Sequence, residues 1–115
     1  MQVKIKNNIP DFTPDKLYNV YGVQFYDEHV SVLVEDDICA ESEYVRGAPL
    51  EWFEVVSSNI PKNWVQRSGY LVAAHPLCFT TEFFFDKLSN GDEEILKLWR
   101  TAKQETDSEI ESLQG

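Results

Sequence analysis

Alternating apolar and polar residues predict an antiparallel β-sheet in the part of the chain before residue 76. The strongest signal is the run LYNVYGVQFY (17–26), which has period 2 and is rich in aromatic and β-branched residues. Gly22 in its middle predicts a bend or bulge. A turn at DEH and the run VSVLVED (30–36) complete a predicted hairpin. Further strands are predicted at MQVKIK, at LEWFEVV (50–56) and at VQRSGYLVAAHP (65–76), the last with a break at Gly69.

The hydrophobic period changes to that of a helix after residue 79. The run TTEFFFDKL (80–88) predicts a short helix with a threonine N-cap, ended by Gly91. Residues 92–104 predict a second, amphipathic helix. Its apolar residues recur at i, i+3, i+4 and i+7: Ile95, Leu98, Trp99 and Ala102. Beyond residue 104 only Ile110 and Leu113 are apolar, which predicts a frayed or solvated tail over 105–115.

These elements predict one domain of the α+β class, mainly β over residues 1–75 and helical over 80–104. The expected architecture is a small, strongly bent antiparallel sheet, SH3-like or partly closed, with one or two C-terminal helices packed against it. Between the hairpin and the strand at 50–56, the acidic stretch and VRGAP are expected to form an irregular connection.

The chain is strongly acidic, with 10 lysines and arginines against 20 aspartates and glutamates and a net charge of −10. Such a surface repels nucleic acid and anionic lipid and attracts cationic partners. The start of the chain has no apolar stretch of the secretory kind, and no run approaches a membrane span, which predicts a cytoplasmic protein. Cys39 and Cys78 are therefore expected to be free, partly buried thiols.

Most of the net negative charge lies in residues 35–54, which hold seven acids and one arginine. The stretch VEDDICAESEY (34–44) lacks the alternating acids and central glycine of a calcium loop. Neither His29 nor His75 has zinc-type spacing to a cysteine. We expect no metal and no cofactor.

Catalysis also lacks a sequence signature. Asp36 and Asp37 are adjacent at a strand end, so their side chains are expected to point to opposite faces and not to share a site. No nucleophile elbow or phosphate-binding glycine loop is present. The aromatic residues Tyr18, Tyr26 and Trp64 are the kind that stack on bases, but burial in the core is the more ordinary role for them. A non-catalytic protein-binding module remains, alongside the simpler interpretation of a solvated acidic connection.

The sequence resembles a group of small bacterial proteins with an SH3-like β-barrel, many of which are immunity partners of polymorphic or contact-dependent toxins. The resemblance covers about residues 16–64 and extends to FFFDKLSNG after them. It rests on a K-x-Y-x-V-Y strand, an acidic DD strand end and a later FEVV…IP…W strand and turn. These positions are Lys16, Tyr18, Val20, Tyr21, Asp36, Asp37, Phe53, Glu54, Val55, Val56, Ile60, Pro61 and Trp64.

Together with the acidity, this resemblance implies an immunity protein that binds and neutralises a basic toxin domain, expected to be a nuclease. The carboxylates would pair with lysines and arginines of the toxin, and Tyr44 would supply an aromatic anchor. The expected partner-binding residues are Glu35, Asp36, Asp37, Glu41, Glu43, Tyr44, Glu51 and Glu54. Ile38 and Cys39 are expected to point inward. The alternatives are a non-catalytic interaction or regulatory module, and a small enzyme or ligand-binding protein.

Overall fold

The computed structural model describes residues 1–114, and the side chains of residues 1–112. The strands are β1 (Gln2–Ile5), β2 (Tyr18–Tyr26), β3 (His29–Val34), β4 (Arg46–Pro49), β5 (Phe53–Ser57), β6 (Val65–Gln66) and β7 (Leu71–Ala74). The helices are α1 (Cys39–Ser42), α2 (Phe84–Ser89) and α3 (Glu93–Gln114). Short 3-10 turns occupy Leu50–Trp52 and Pro76–Phe79. The protein is therefore α+β, as the sequence pattern predicted.

All pairings in the sheet are antiparallel, and β2 is the strand that the two halves of the sheet share. One path runs β4–β3–β2–β1–β5. In a second branch, β7 pairs with β2, and β6 pairs with β7. The first residues of β2 pair with β1, whereas Gly22–Gln24 pair with β7. One strand can serve both branches because different parts of it pair with β1 and with β7, and its register against β3 shifts between these parts, from Val20 to Gly22.

Gly22 confirms the predicted bend, and the reason for glycine there is steric. A Cβ atom at this position would lie 2.8 Å from Leu33 Cδ1 and 3.3 Å from the carbonyl oxygen of Ala73. A side chain would therefore force the buried Leu33 side chain to move and would crowd the backbone of β7. The hairpin from β2 to β3 is also confirmed. Its turn consists of Asp27 and Glu28, both at positive φ (48° and 64°), as a tight two-residue turn between twisted strands requires.

Two hydrophobic clusters lie on opposite faces of β2, because successive side chains of a strand alternate. Val20 belongs to the cluster inside the bent sheet, with Val3 and Phe53. Tyr21 belongs to the cluster under the helices, where its ring meets Trp99 edge-on at 5.3 Å between centroids. Trp99 is 2% exposed and anchors α3 on the sheet.

Three sequence expectations are wrong in detail. The acidic connection is not irregular, since it contains α1 and then β4, which pairs with β3 from Ser31↔Pro49 to Val34↔Arg46. The strand expected at 50–56 begins only at Phe53, after a 3-10 turn. The threonine N-cap of the short helix is absent: α2 begins at Phe84, with Phe83 preceding it and no side-chain cap.

The expected frayed tail is corrected as well. Helix α3 begins after Asp92, whose carboxylate accepts hydrogen bonds from the backbone of Glu94 and Ile95. It then continues without interruption past residue 104. Thr106 (2% exposed) and Ile110 (4%) extend its buried stripe, so this part of the helix packs on the protein. The Leu113 side chain and residue 115 lie outside the described part of the chain.

Candidate binding surfaces

The acidic segment (residues 34–44) was the expected partner surface, and its most central carboxylate lies in the interior. Asp36 is 3% exposed. Its Oδ1 accepts hydrogen bonds from the backbone N–H groups of Ile38 (3.0 Å) and Cys39 (2.7 Å), and its Oδ2 accepts one from Arg46 (3.1 Å). Burial opposes ionisation, but the bonds from Cys39 and Arg46 outweigh it and hold the pKa of Asp36 below its ordinary value. This carboxylate organises α1 and β4.

Asp37 shares no hydrogen-bond partner with Asp36, and both lie beyond the end of β3 at Val34; Asp37 is also engaged within the protein. Its carboxylate accepts hydrogen bonds from Thr13 Oγ1 (2.7 Å), Lys16 Nζ (2.8 Å) and the Tyr18 hydroxyl (2.9 Å). The bond from Lys16 holds the pKa of Asp37 below its ordinary value. Asp37 therefore fastens the loop between β1 and β2 to the acidic segment.

Glu35 and Glu43 lie against α3, where they line a hollow of about 480 Å³. Lys103 Nζ lies 3.2 Å from Glu35 and 3.0 Å from Asp107. Arg100 donates two hydrogen bonds to the Glu43 carboxylate, at 2.8 and 3.3 Å. The two glutamates thus hold the acidic segment to the C-terminal helix.

Asp107 is a structural residue that the sequence reasoning missed, because it lies in the expected tail. It accepts hydrogen bonds from the Tyr21 hydroxyl (2.6 Å) and the Asn19 amide (2.9 Å), in addition to its contact with Lys103. Burial of the Tyr21 hydroxyl and its hydrogen bond to Asp107 raise the pKa of Tyr21. Asp107 therefore couples β2 to the second half of α3.

The other members of the expected site do not form one surface with these residues. Glu41 and Glu51 are exposed and make no ion pair in the described part of the chain. Glu54, on β5, lies 3.6 Å from Lys4. Tyr44 is half-buried against the cluster under the helices.

The expected inward pair of side chains is only half right. Cys39 is 2% exposed, but Ile38 is 52% exposed and points outward. The division between an apolar inside and an acidic outside is therefore wrong for Ile38 and for Asp36. The Asp36 carboxylate can be buried because Arg46 and two backbone N–H groups donate hydrogen bonds to it.

A second surface is a groove of about 1040 Å³ between the sheet and the segment from the Pro76–Phe79 turn to α2. We call it the aromatic groove. The residues that line it include Gln24, Tyr26, Tyr70, Glu82, Phe83 and Asp86. Tyr26 (66% exposed) and Tyr70 (55%) meet edge-on at 5.5 Å between ring centroids.

Phe83 stands at this groove in an unfavourable backbone conformation. Its φ is 57°, in the left-handed region that a bulky side chain rarely adopts, and its side chain is 72% exposed. A large apolar ring is thus held in solvent on a strained backbone. Such strain clusters at functional sites.

Gln24 lies in the groove wall and is 8% exposed. Its side-chain amide has no hydrogen-bond partner among the described residues. Gly47 leaves room for it, because a Cβ atom there would lie 3.0 Å from Gln24 Oε1. Its polar atoms are open to the groove, so the amide is available to a molecule that binds there.

The charged groups in the groove wall are Glu82 and Asp86, and no lysine or arginine lines it among the described residues. Two cations lie close by. Arg67 is over the Phe79 ring at 5.6 Å, and Lys87 donates to Thr81 Oγ1 at 2.7 Å.

No local sequence pattern marked this groove, because its walls come from residues far apart in the chain. Tyr26 was expected to pack in the core with Tyr18 and Trp64. Tyr18 (4%) and Trp64 (9%) are indeed buried, whereas Tyr26 is mostly exposed. The only signal in the sequence was the presence of aromatic residues in FFF (83–85) and SGY (68–70), and the exposure of Phe83 and Tyr70 became clear only from the structure.

Reactive groups elsewhere are engaged or buried. Cys39 and Cys78 are free, as expected, and burial raises the pKa of Cys39 to about 11 and that of Cys78 to about 12. Thiols with such pKa values are poor nucleophiles near neutral pH. His75 accepts from the Leu77 backbone through Nδ1 and contacts Glu105 through Nε2 at 2.7 Å. Among the described residues, no group of three or more His, Cys, Asp or Glu is placed to hold a metal.

Within the described residues, no helix has the length and apolar character needed to cross a membrane. No family model, curated protein or solved structure matches this chain. The function must therefore be argued from these two surfaces.

Proposed function

We propose that this chain is a non-catalytic, cytoplasmic immunity-type protein that binds and neutralises a basic bacterial toxin domain, with a nuclease as the expected toxin. The observation that carries the proposal is the exposed negative charge left over after the internal ion pairs are made. Glu41, Glu51 and Glu82 are exposed and lie outside every ion pair in the described part of the chain. They are part of the net charge of −10.

The strand arrangement supports a relationship to SH3-like barrels. In the path β4–β3–β2–β1–β5, the first strand pairs with the fifth, and one long bent strand belongs to both halves of the sheet. The Leu50–Trp52 3-10 turn joins β4 to β5. We infer that the immunity-type resemblance in residues 16–64 reflects this shared barrel, to which β6, β7 and the C-terminal helices are added.

Neutralisation would be stoichiometric. Complementary charge accelerates encounter with a basic domain, and a few desolvated anchors then determine how slowly the complex dissociates. The bound domain would cover the cationic surface with which a nuclease holds its phosphate-bearing substrate. No reaction by this chain is needed.

The proposal is tested by co-expression with the toxin domain encoded beside its gene, scored by bacterial growth and by co-purification. We expect growth to be restored, and we expect the dissociation constant to rise steeply with salt concentration because exposed charges drive encounter. A catalytically inactive toxin variant allows the affinity to be measured directly. Weak binding that is insensitive to salt would instead favour a regulatory interaction module.

The structure indicates which carboxylates are suitable for this test. Reversal of Asp37 or Glu43 would break internal hydrogen bonds and confuse folding with binding. Glu41→Lys/Glu51→Lys changes only exposed, unpaired groups. We expect this double variant to fold as the wild type does and to associate more slowly with the toxin. The proposal would be overturned if the wild type neither restored growth nor associated with the toxin.

A further inference from the structure

We propose that the aromatic groove is the docking site for an extended segment of the partner that carries arginine or lysine side chains. The partner's identity as a basic protein rests on the proposed function. The chemistry of the docked segment is argued from the groove itself. The acidic segment, by contrast, is mainly a structural element whose central carboxylates are already used.

Gln24 is the first reason to assign a ligand to this groove. The residue is 8% exposed, and its amide has no hydrogen-bond partner among the described residues. Its polar atoms are open to the groove and are not buried unsatisfied atoms, so they can bond water or a ligand there. An extended peptide offers both a backbone N–H and a C=O group, which match the acceptor and donor of a carboxamide. Docking would therefore replace solvent at this amide with backbone groups of the peptide.

The aromatic side chains are the second reason. Tyr26, Tyr70 and Phe83 are each more than half exposed, and all three line the same groove. Aromatic faces attract lysine and, more often, arginine through cation–π contact, and the planar guanidinium also stacks on them. Arg67 over the Phe79 ring is an internal example beside this groove.

Charge complementarity selects a cation. Glu82 and Asp86 are exposed carboxylates of the groove wall. The acidic turn Asp27–Glu28 directly follows Tyr26 in the chain. Because the described lining contains two carboxylates and no lysine or arginine, the wall itself repels an anionic ligand, although Arg67 and Lys87 lie beside it. An arginine-bearing segment meets both the rings and the carboxylates.

The test uses a defined probe, the peptide acetyl-GSRLRLRLSG-amide, and the same peptide with citrulline in place of each arginine. Citrulline keeps the shape and removes the charge. Binding is measured at low salt by two-dimensional NMR of the ¹⁵N-labelled full chain. We expect amide shifts in the groove residues, including Gly47 and Tyr70, and about tenfold weaker binding of the citrulline peptide.

Two double variants remove the same amount of charge at different places. Glu82→Gln/Asp86→Asn should weaken the arginine probe about tenfold, whereas Glu41→Gln/Glu51→Gln should change its affinity less than about twofold. Gln24→Leu adds a discriminating readout. It should leave the urea midpoint of unfolding close to that of the wild type and yet weaken the probe about fivefold, because the leucine cannot hydrogen-bond the peptide backbone.

The outcomes separate this inference from the proposed function. Equal binding of both peptides, equal effects of the two double variants, or shifts centred on α1 would overturn the groove assignment. If Glu82→Gln/Asp86→Asn also binds and neutralises the toxin as the wild type does, the groove assignment falls and the proposed function stands. If the probe binds as expected and the toxin is not bound, the groove assignment stands and the proposed function falls.

Discussion

The acidic segment is conspicuous in the sequence, but most of its charged groups are occupied within the fold. The aromatic groove is inconspicuous in the sequence, but it exposes groups that a partner can contact. The acidic segment has the densest charge in the chain, but Asp36, Asp37, Glu35 and Glu43 each contact a cation of the same protein. The groove has only two carboxylates in its described wall, neither of them in an ion pair, and Tyr26, Tyr70 and Phe83 are each more than half exposed there. The density of charge along a chain therefore does not locate a binding surface, because some of the charged groups form ion pairs within the folded protein.

The largest expected effect is on the acidic segment. Asp36→Ala should lower the free energy of unfolding by about 2–3 kcal/mol, because two backbone N–H groups and Arg46 lose their acceptor in a buried site. Urea denaturation monitored by tryptophan fluorescence measures this. Glu41→Ala, in the same segment but exposed, should change it by less than about 0.5 kcal/mol. Equal effects of the two variants would show that Asp36 has no structural role.

The contacts of the segment with α3 come next. Lys103→Met should destabilise the protein by about 1–2 kcal/mol, since it leaves the poorly exposed Glu35 and Asp107 together without their cation. Arg100→Met is the matched control on the same helix. Its pair with Glu43 is exposed on both sides and should contribute less than about 0.5 kcal/mol. A larger loss from Arg100→Met than from Lys103→Met would contradict this ranking.

The groove should respond in the opposite direction when its strain is removed. Phe83→Gly should be more stable than Phe83→Ala by about 1 kcal/mol, because glycine alone adopts positive φ without steric cost. Both variants lose the same exposed ring, so their difference isolates the backbone. Both should bind the arginine probe more weakly than the wild type. If the alanine variant is the more stable one, the left-handed backbone at this position is not strained.

The sequence predicted those elements whose signal is local. The hairpin of β2 and β3 followed from period-2 alternation and a short polar turn, and the start of α3 followed from its apolar stripe. The rest of α3 was missed because Thr106 was treated as polar. Ala102, Thr106 and Ile110 in fact continue the stripe at i, i+4 and i+8. Threonine can be buried on such a stripe since it is small.

Other features depend on contacts between distant residues and had no local signature. The residues RGAP of β4 have weak strand propensity, and their pairing with β3 decides their conformation. The buried state of Asp36 depends on Arg46, ten residues later. The groove joins Gln24 to Asp86 through the whole topology of the sheet. Only its exposed aromatic residues could have been suspected from the sequence.

The smallest effect concerns the pH dependence of the acidic segment. The pKa of Asp37 lies below its ordinary value in the folded protein because Lys16 donates to it, so its ionised form stabilises the fold. That contribution is complete above the ordinary aspartate pKa of about 3.9 and is lost as pH falls through the lower folded-state value. Asp37→Asn should therefore be less stable than the wild type by about 0.5 kcal/mol at pH 7, as is typical of half-exposed pairs.

The difference between wild type and Asp37→Asn should stay constant from pH 7 to about 4 and shrink as the pH is lowered further towards 3, because protonation then neutralises the same carboxyl in the wild type. Urea midpoints at five pH values measure it, and the contributions of Asp36 and the other acids cancel in the difference. A difference that stays constant across this range would mean that Asp37 acts only as a hydrogen-bond acceptor. Its negative charge would then be as available to a partner as that of Glu41, and the contrast between the segment and the groove would weaken accordingly.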